Sequence, residues 1–160
     1  MSKQYCKQYW LMKSEPTSFS IKDLAACGAT YWSGVRNFQA RNFMRDQMRV
    51  GDGVLFYHSS VEPIGIAGRA EVTRCGYPDH TAWDPNDAHY DPKSLPERPT
   101  WFMVDIRHVQ ICREVITLAR LKGLSALNDM CVVQRGTRLS VQPVRPNEWR
   151  VILGLPEWRR

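Results

Sequence analysis

The chain has 160 residues, 43% hydrophobic and 24% charged, which is typical of one soluble globular domain that buries a core without disulfide support. Its apolar runs are too short to span a bilayer, and residues 1–6 lead into no long apolar segment, so we expect neither a membrane partner nor a signal peptide. The net charge of +6 permits a polyanionic partner without identifying one. The expected location is cytoplasmic, with association with the nucleoid left open.

The N-terminal half predicts, in order, a strand, a helix, a short extended piece, a second helix and an apolar strand. Ser20 is suited to cap the first helix and Gly28 to end it. In the second helix, apolar residues recur every four positions and arginines follow one position later, as a stripe beside the apolar face. The predicted ranges are 8–13, 20–26, 30–32, 37–50 and 54–58.

The C-terminal half predicts more strands than helices. Gly65 and Gly68 suggest a bend in one strand, and a change in the alternation of apolar residues near His108 suggests a bulge in another. We predict strands at 64–73, 101–111, 132–133 and 138–141, a long loop at 76–100, and helical turns at 117–122, 124–130 and 146–153. The pattern favours an α+β fold: one domain over residues 1–160, with a small, strongly bent mixed β-barrel and surrounding short helices.

Charge is unevenly distributed along the chain. Residues 36–49 carry four arginines against one acid, whereas residues 77–97 carry five acids against Lys93 alone. Residues 131–160 are basic again and include Arg138 and Arg160. Two basic regions and one acidic loop suggest a polarised surface of the kind that a polyanion binder needs.

Residues 31–45 combine aromatic rings, amides, arginines and a Ser33-Gly34 turn. Aromatic faces stack on flat rings, and an amide offers a donor beside an acceptor. Arginine forks suit phosphates and base edges. The combination is suited to holding a flat heterocycle beside a phosphate backbone. A buried Trp32 followed by an ordinary amphipathic helix is the alternative interpretation.

The sequence offers little support for catalysis or cofactors. Five scattered cysteines and four dispersed histidines give no zinc or disulfide spacing, and the absence of a glycine-rich phosphate loop predicts no nucleotide cofactor. The one enzyme alternative is a magnesium-dependent nuclease that uses Asp79, Asp91 and Lys93 in a PD…(D/E)xK-like pattern. Pro92 argues against the strand on which that pattern depends. We therefore expect no metal site and no enzyme activity.

Four motifs in order carry a resemblance to a known family. They are YWLMKSEP at 9–16, WSGVRNFQARN at 32–42, GDGVLFYHS at 51–59 and RLSVQP at 138–143. With these motifs the chain resembles the EVE domain family over nearly its whole length. The resemblance implies a PUA-like fold and a non-enzymatic module that reads a modified base. The base implied is modified cytosine in DNA, such as 5-hydroxymethylcytosine, flipped into an aromatic and polar pocket.

This resemblance and the residues together give a candidate site. Trp32 is the first stacking candidate. The remaining pocket candidates are Trp10, Lys13, Ser14, Glu15, Asn37, Tyr57, His58, Ser59 and Ser140, and the phosphate candidates are Arg36, Arg41, Arg45 and Arg138. Phe38 and Ser60 stand where relatives often have Tyr and Asn. An RNA-binding module of the same fold stays open as an alternative. We expect a monomer.

Overall fold

The computed structural model describes residues 6–159. Two parts of the predictions fall outside the described residues. They are residues 1–5, which belong to the segment expected to contain no signal peptide, and Arg160, which belongs to the basic C-terminal region. Six strands form one mixed sheet in the order β2-β5-β4-β3-β1-β6. They are β1 (Tyr9–Ser14), β2 (Ala29–Trp32), β3 (Gly53–His58), β4 (Gly65–Pro78), β5 (Phe102–Thr117) and β6 (Val141–Val144).

The sheet is open, with β2 and β6 as its two ends. β1 and β3 pair in parallel and the other neighbours pair in an antiparallel manner. The α+β prediction is confirmed, although the sheet does not close into a barrel. Because a parallel pair needs a crossover connection, the chain between β1 and β3 adds β2 at the far edge and packs Ile21, Leu24, Ala40 and Met44 on one face of the sheet.

Four α-helices surround the sheet, together with a π-helical turn at Phe43–Gln47 and several 3-10 turns. They are α1 (Ile21–Cys27), α2 (Phe38–Asn42), α3 (Leu118–Lys122) and α4 (Pro146–Leu153). Ser20 caps α1 by accepting a hydrogen bond from the Asp23 N–H while the Asp23 carboxylate accepts from the Ser20 N–H, as predicted. Among residues 6–159 no helix has the length and apolarity needed to cross a membrane.

Both faces of the sheet are buried. Alternate residues of the central strands separate into two clusters, so that Trp10 and Phe56 lie on one face while Leu11 and Tyr57 lie on the other. This double burial explains why residues 54–58 read as a continuous apolar run rather than an alternating one.

Four element predictions differ from the structure. The helix predicted at 37–50 consists of α2 and the π-helical turn, and ends at Gln47. The strand predicted at 132–133 is a 3-10 turn, and the one predicted at 138–141 lies at Val141–Val144 instead. β5 extends to Thr117, past its predicted end at residue 111. The bulge predicted near His108 is confirmed, because the register between β4 and β5 shifts there and leaves Val109 unmatched.

Candidate nucleic-acid interface

A cavity of about 600 Å³ opens where β1 and β2 end. Its volume is in the range of sites for small molecules and single bases. The lining residues are Lys13, Ser14, Glu15, Ser18, Phe19, Thr30, Tyr31, Trp32, Ser33, Gly34, Val35, His89 and Ser140. Five of the ten predicted pocket residues are among them: Lys13, Ser14, Glu15, Trp32 and Ser140.

Trp32 is the largest aromatic side chain of the cavity wall. It ends β2 and is 9% exposed, and its ring meets Phe56 edge-on with 5.5 Å between ring centres and 88° between ring planes. Phe56 is fully buried, and His58 packs edge-on against it at 5.6 Å. The indole is therefore held by the core and cannot swing away from the cavity.

Polar groups come to the cavity from two neighbouring strands. The Lys13 N–H donates to the Ser140 carbonyl at 2.8 Å, which joins the ends of β1 and β6. Lys13 Nζ lies 5.8 Å from the ring centre of Tyr57, on the Tyr57 side of the sheet, and burial lowers the pKa of this ammonium, an effect that negative charge on Cys131 would oppose. The Ser14 hydroxyl donates to the Phe19 carbonyl at 2.6 Å, so its lone pairs can accept a donor from a ligand.

The rim opposite Lys13 is built on Gly34. Its φ of 81° belongs to the left-handed region, and a Cβ at this position would lie 2.7 Å from the His89 ring. Glycine is required on both counts, because any side chain would displace the imidazole that lines the cavity. His89 is held by Asp87, whose carboxylate accepts from the His89 backbone N–H at 2.8 Å.

Asp79 ties the acidic loop to this rim. Its carboxylate is fully buried and accepts from the Gly34 N–H at 2.8 Å, from Arg36 Nη1 at 3.0 Å and from the Thr81 hydroxyl at 2.6 Å. Burial alone would raise the pKa of Asp79, but the hydrogen bonds from Thr81, Gly34 and Arg36 outweigh it and hold the pKa below its usual value.

Two predicted pocket walls are core residues instead. Trp10 is 1% exposed and its indole donates to Asp52 at 3.0 Å, and Tyr57 is 3% exposed on the opposite face of the sheet from Phe56. The sequence shows aromatic residues next to polar ones, but only the alternation of the strand decides which face each ring occupies.

Three further predicted residues lie outside the cavity lining and take part in hydrogen bonds with the backbone. The Asn37 side chain caps α2 by accepting from the Ala40 N–H, and His58 Nε2 accepts from the Ile21 N–H at 3.1 Å. The Ser59 N–H donates to the Ser14 carbonyl at 2.9 Å. These hydrogen bonds cap a helix or join segments of the chain, so they give structural roles to three residues that were predicted to contact a ligand.

The four predicted phosphate contacts have different surroundings. Arg36 donates to Asp79 and, through Nη2 at 2.7 Å, to the His89 carbonyl, so it holds the acidic loop. Arg41 donates to the Thr100 carbonyl at 2.8 Å, and Arg45 pairs with Asp46 at 2.8 Å. Arg138 is exposed.

The acids of the nuclease alternative also have structural partners. Asp91 accepts from the Trp101 indole at 2.7 Å and from the Lys93 N–H at 3.0 Å. Within residues 6–159 no group of three or more His, Cys, Asp or Glu side chains is arranged to hold a metal ion. The carboxylates of Asp79 and Asp91 therefore have a structural role in holding the acidic loop at residues 76–100.

The sequence analysis missed His89 and Tyr31 as lining residues. His89 is 55 positions from Gly34 in the sequence, and no local sequence pattern predicts a contact between residues so far apart. The length of the acidic loop was the available signal, since a long loop inside a compact domain often has a function. Tyr31 is 48% exposed and belongs to the aromatic segment 31–45, but of Tyr31 and its neighbour Trp32 only Trp32 was predicted for the pocket.

Comparison with known proteins decides the family. A profile described as "EVE domain" matches residues 8–155. The chain belongs to the EVE domain family. It is 42% identical over 168 residues to thymocyte nuclear protein 1 of Homo sapiens, which covers 93% of this chain and 74% of that protein.

Solved structures agree with this membership. A crystal structure of a Pseudomonas putida protein is 51% identical, covers 91% of this EVE domain and 97% of that chain, and has a TM-score of 0.88. Human THYN1 protein, solved in complex with 5-methylcytosine-containing DNA, is 39% identical with a TM-score of 0.85 and covers 92% of this chain and 96% of that chain. The PUA-like fold expected of an EVE domain is confirmed.

Proposed function

We propose that this EVE domain binds nucleic acid, with DNA favoured, and reads one modified cytosine by taking the flipped base into the cavity beside Trp32. The proposal includes no chemical step on the base. The observation that carries it is the cavity of about 600 Å³, which joins a fixed indole to polar groups of Lys13, Ser14 and Ser140.

The cavity groups suit the edge of a cytosine. The Ser18 hydroxyl on the cavity wall can donate to the acceptor O2 or N3, and the free lone pairs of the Ser14 hydroxyl can accept from the exocyclic amine. A methyl or hydroxymethyl group adds apolar surface or one hydroxyl, for which Val35 and Ser33 lie on the same wall. These contacts involve the base alone and leave the backbone to basic residues outside the cavity.

The energies are compatible with base flipping. Extracting a base from a duplex costs a few kcal/mol, about as much as stacking on an aromatic ring returns, roughly 1–3 kcal/mol. The free energies of the flipped and unflipped states are then nearly equal. A small difference between the contacts of the modified base and those of the plain base therefore decides which one is bound. The complex of human THYN1 protein with 5-methylcytosine-containing DNA supports this proposal through the 39% identity and shared fold.

Fluorescence anisotropy tests the proposal directly. Matched duplexes carry plain, methylated or hydroxymethylated cytosine at one position and are titrated at about 50 and about 200 mM salt. We expect tighter binding to one modified duplex, with a preference that persists at the higher salt because it arises in the cavity. Equal and steeply salt-dependent binding to all three duplexes would contradict the proposal, and single-stranded RNA carrying the same bases would then be titrated.

Variants of the cavity locate the preference. Ser14→Ala removes a cavity hydroxyl and should reduce the ratio of affinities for modified and plain duplexes, whereas Ser125→Ala removes an exposed hydroxyl from the 3-10 turn Ser125–Leu127 and should leave the ratio unchanged. Trp32→Phe keeps a ring against Phe56 and should weaken binding to the modified duplex with little loss of fold. Retention of the full preference in both cavity variants would place the reading elsewhere.

A further inference from the structure

A second aromatic surface lies outside the cavity. Phe38 is 60% exposed, the highest value among the large apolar side chains described. One face of its ring stacks on Trp101, with 5.0 Å between ring centres and 25° between planes, and the Arg41 guanidinium carbon lies 4.9 Å from the Phe38 ring centre. We call Phe38, Trp101 and Arg41 the outer stack.

The outer stack is held in place. Trp101 is 6% exposed and donates its indole N–H to Asp91 at 2.7 Å. Arg41 donates to the Thr100 carbonyl at 2.8 Å, and Asn37 caps the helix that begins at Phe38. An exposed ring supported in this way loses little conformational freedom when a ligand stacks on it, which favours binding.

The charge beside the ring is complementary to a phosphate backbone. The hydrogen-bond acceptors of Arg41 are the Thr100 carbonyl and the Asn42 side-chain oxygen, both of them neutral. Arg41 therefore contributes a full positive charge at the edge of an exposed ring. A cation next to an aromatic face is the combination that binds nucleotides without reading their sequence.

The outer stack lies within reach of the cavity mouth. Val35 lines the cavity and Phe38 follows three residues later, so their Cα atoms are at most about 11 Å apart. Along one strand successive nucleotides advance about 3.4 Å, so any nucleotide from the immediate neighbour to about three positions away can reach Phe38. A strand whose base enters the cavity brings its neighbours over Phe38.

We propose that Phe38 is a second stacking surface, which holds the nucleotide next to the one whose base enters the cavity. This inference rests on the proposed function and extends it from one nucleotide to two. Phe38 would contribute to affinity for modified and plain DNA alike, whereas Trp32 and Ser14 set the difference between them.

A thermodynamic cycle between protein and DNA tests the inference. Methylated duplexes carry an intact nucleotide or an abasic site on the 5′ or the 3′ side of the modified cytosine, and each is titrated with wild type and Phe38→Ala. We expect Phe38→Ala to bind the intact duplex about 5- to 10-fold more weakly, in the lower part of the range for one stacked base. When the abasic site replaces the nucleotide that stacks on Phe38, Phe38→Ala should change affinity by less than about twofold.

Three controls separate stacking from misfolding. Phe38→Tyr keeps the ring and should bind like wild type, and Phe38→Leu keeps an apolar cover over Trp101 but should show the same loss as Phe38→Ala. Ile111→Ala removes another exposed apolar side chain, one that does not line the cavity, and should bind like wild type. Wild-type affinity in Phe38→Ala, or an equal loss on intact and both abasic duplexes, would overturn the inference. A wild-type protein without preference for modified DNA would instead overturn the proposed function.

Discussion

The imidazole of His58 links the cavity region to the start of α1. Its Nε2 accepts a hydrogen bond from the Ile21 N–H at 3.1 Å, and only an unprotonated nitrogen can accept. Burial lowers the pKa of His58 from its ordinary value of 6.5. The unfolded chain therefore takes up this proton at a higher pH than the folded chain does, and the stabilising hydrogen bond is lost once the folded form is protonated.

The sign of the pH dependence follows from this difference. Stability from His58 is fully present above about pH 6.5 and falls as the pH drops through the lowered folded-state pKa. We predict that denaturant unfolding between about pH 7 and pH 5 shows a smaller loss of stability in His58→Gln than in wild type, because the Gln carbonyl accepts from Ile21 without titrating. Parallel stability curves for the two proteins would show that His58 has no such role.

The backbone of Ser60 carries a local energetic cost. Its φ of 71° lies in the left-handed region, which Asn adopts more readily than Ser. The exposed Ser60 hydroxyl donates to Glu15 at 3.3 Å, next to the cavity rim. The serine therefore maintains a contact to Glu15 in a conformation that its own backbone does not favour.

At the scale of elements, the acidic loop depends on the buried Asp79. Breaking a buried ion pair leaves the partner charge without compensation, which typically costs about 3–5 kcal/mol. We predict a loss of this size for Asp79→Ala, measured by chemical unfolding, together with a smaller loss for Asp91→Ala, whose carboxylate is partly exposed. Under the nuclease alternative both substitutions would abolish metal-dependent cleavage and leave stability nearly unchanged.

The sequence predicted the elements better than their contacts. Capping residues and glycines located α1, α4 and β3 because these signals are local. Trp32, Lys13, Ser14 and Ser140 were predicted for the cavity and line it, since they lie at strand ends that the motifs mark. Trp10 and Tyr57 were not placed correctly, because which face of a doubly buried sheet a ring occupies depends on pairing register. His89 was not predicted because it lies on a long loop whose path is set by the buried carboxylate of Asp79.

At the scale of the whole molecule, the charges of the chain are partly used internally. Arg36 and Arg45 have carboxylate partners within 3.0 Å, and four of the five acids of residues 77–97 accept hydrogen bonds within their own loop. The number of arginines in residues 36–49 therefore overstates how many are available to a phosphate backbone. Arg138 is exposed and precedes the cavity residue Ser140 by two positions, so it is the best placed of the predicted phosphate contacts.

We predict that Arg138→Gln weakens binding to modified and plain duplexes equally. The slope of log affinity against log salt should become shallower by about one, the change expected when one phosphate contact is lost. Lys122→Gln, at the exposed end of α3, serves as the control for a charge outside the cavity lining and should leave the slope unaltered. A loss confined to the modified duplex would instead make Arg138 part of base recognition.

The open sheet has a consequence for solubility. A strand at the end of a sheet offers unpaired backbone groups to any other strand, and self-association by edge pairing is the common hazard. β6 has only four residues, and Pro143 at its third position has no N–H to donate. β2, at the other end, also has four residues. Short edges, one of them interrupted by proline, leave few backbone groups on which a second copy could extend the sheet into a fibre.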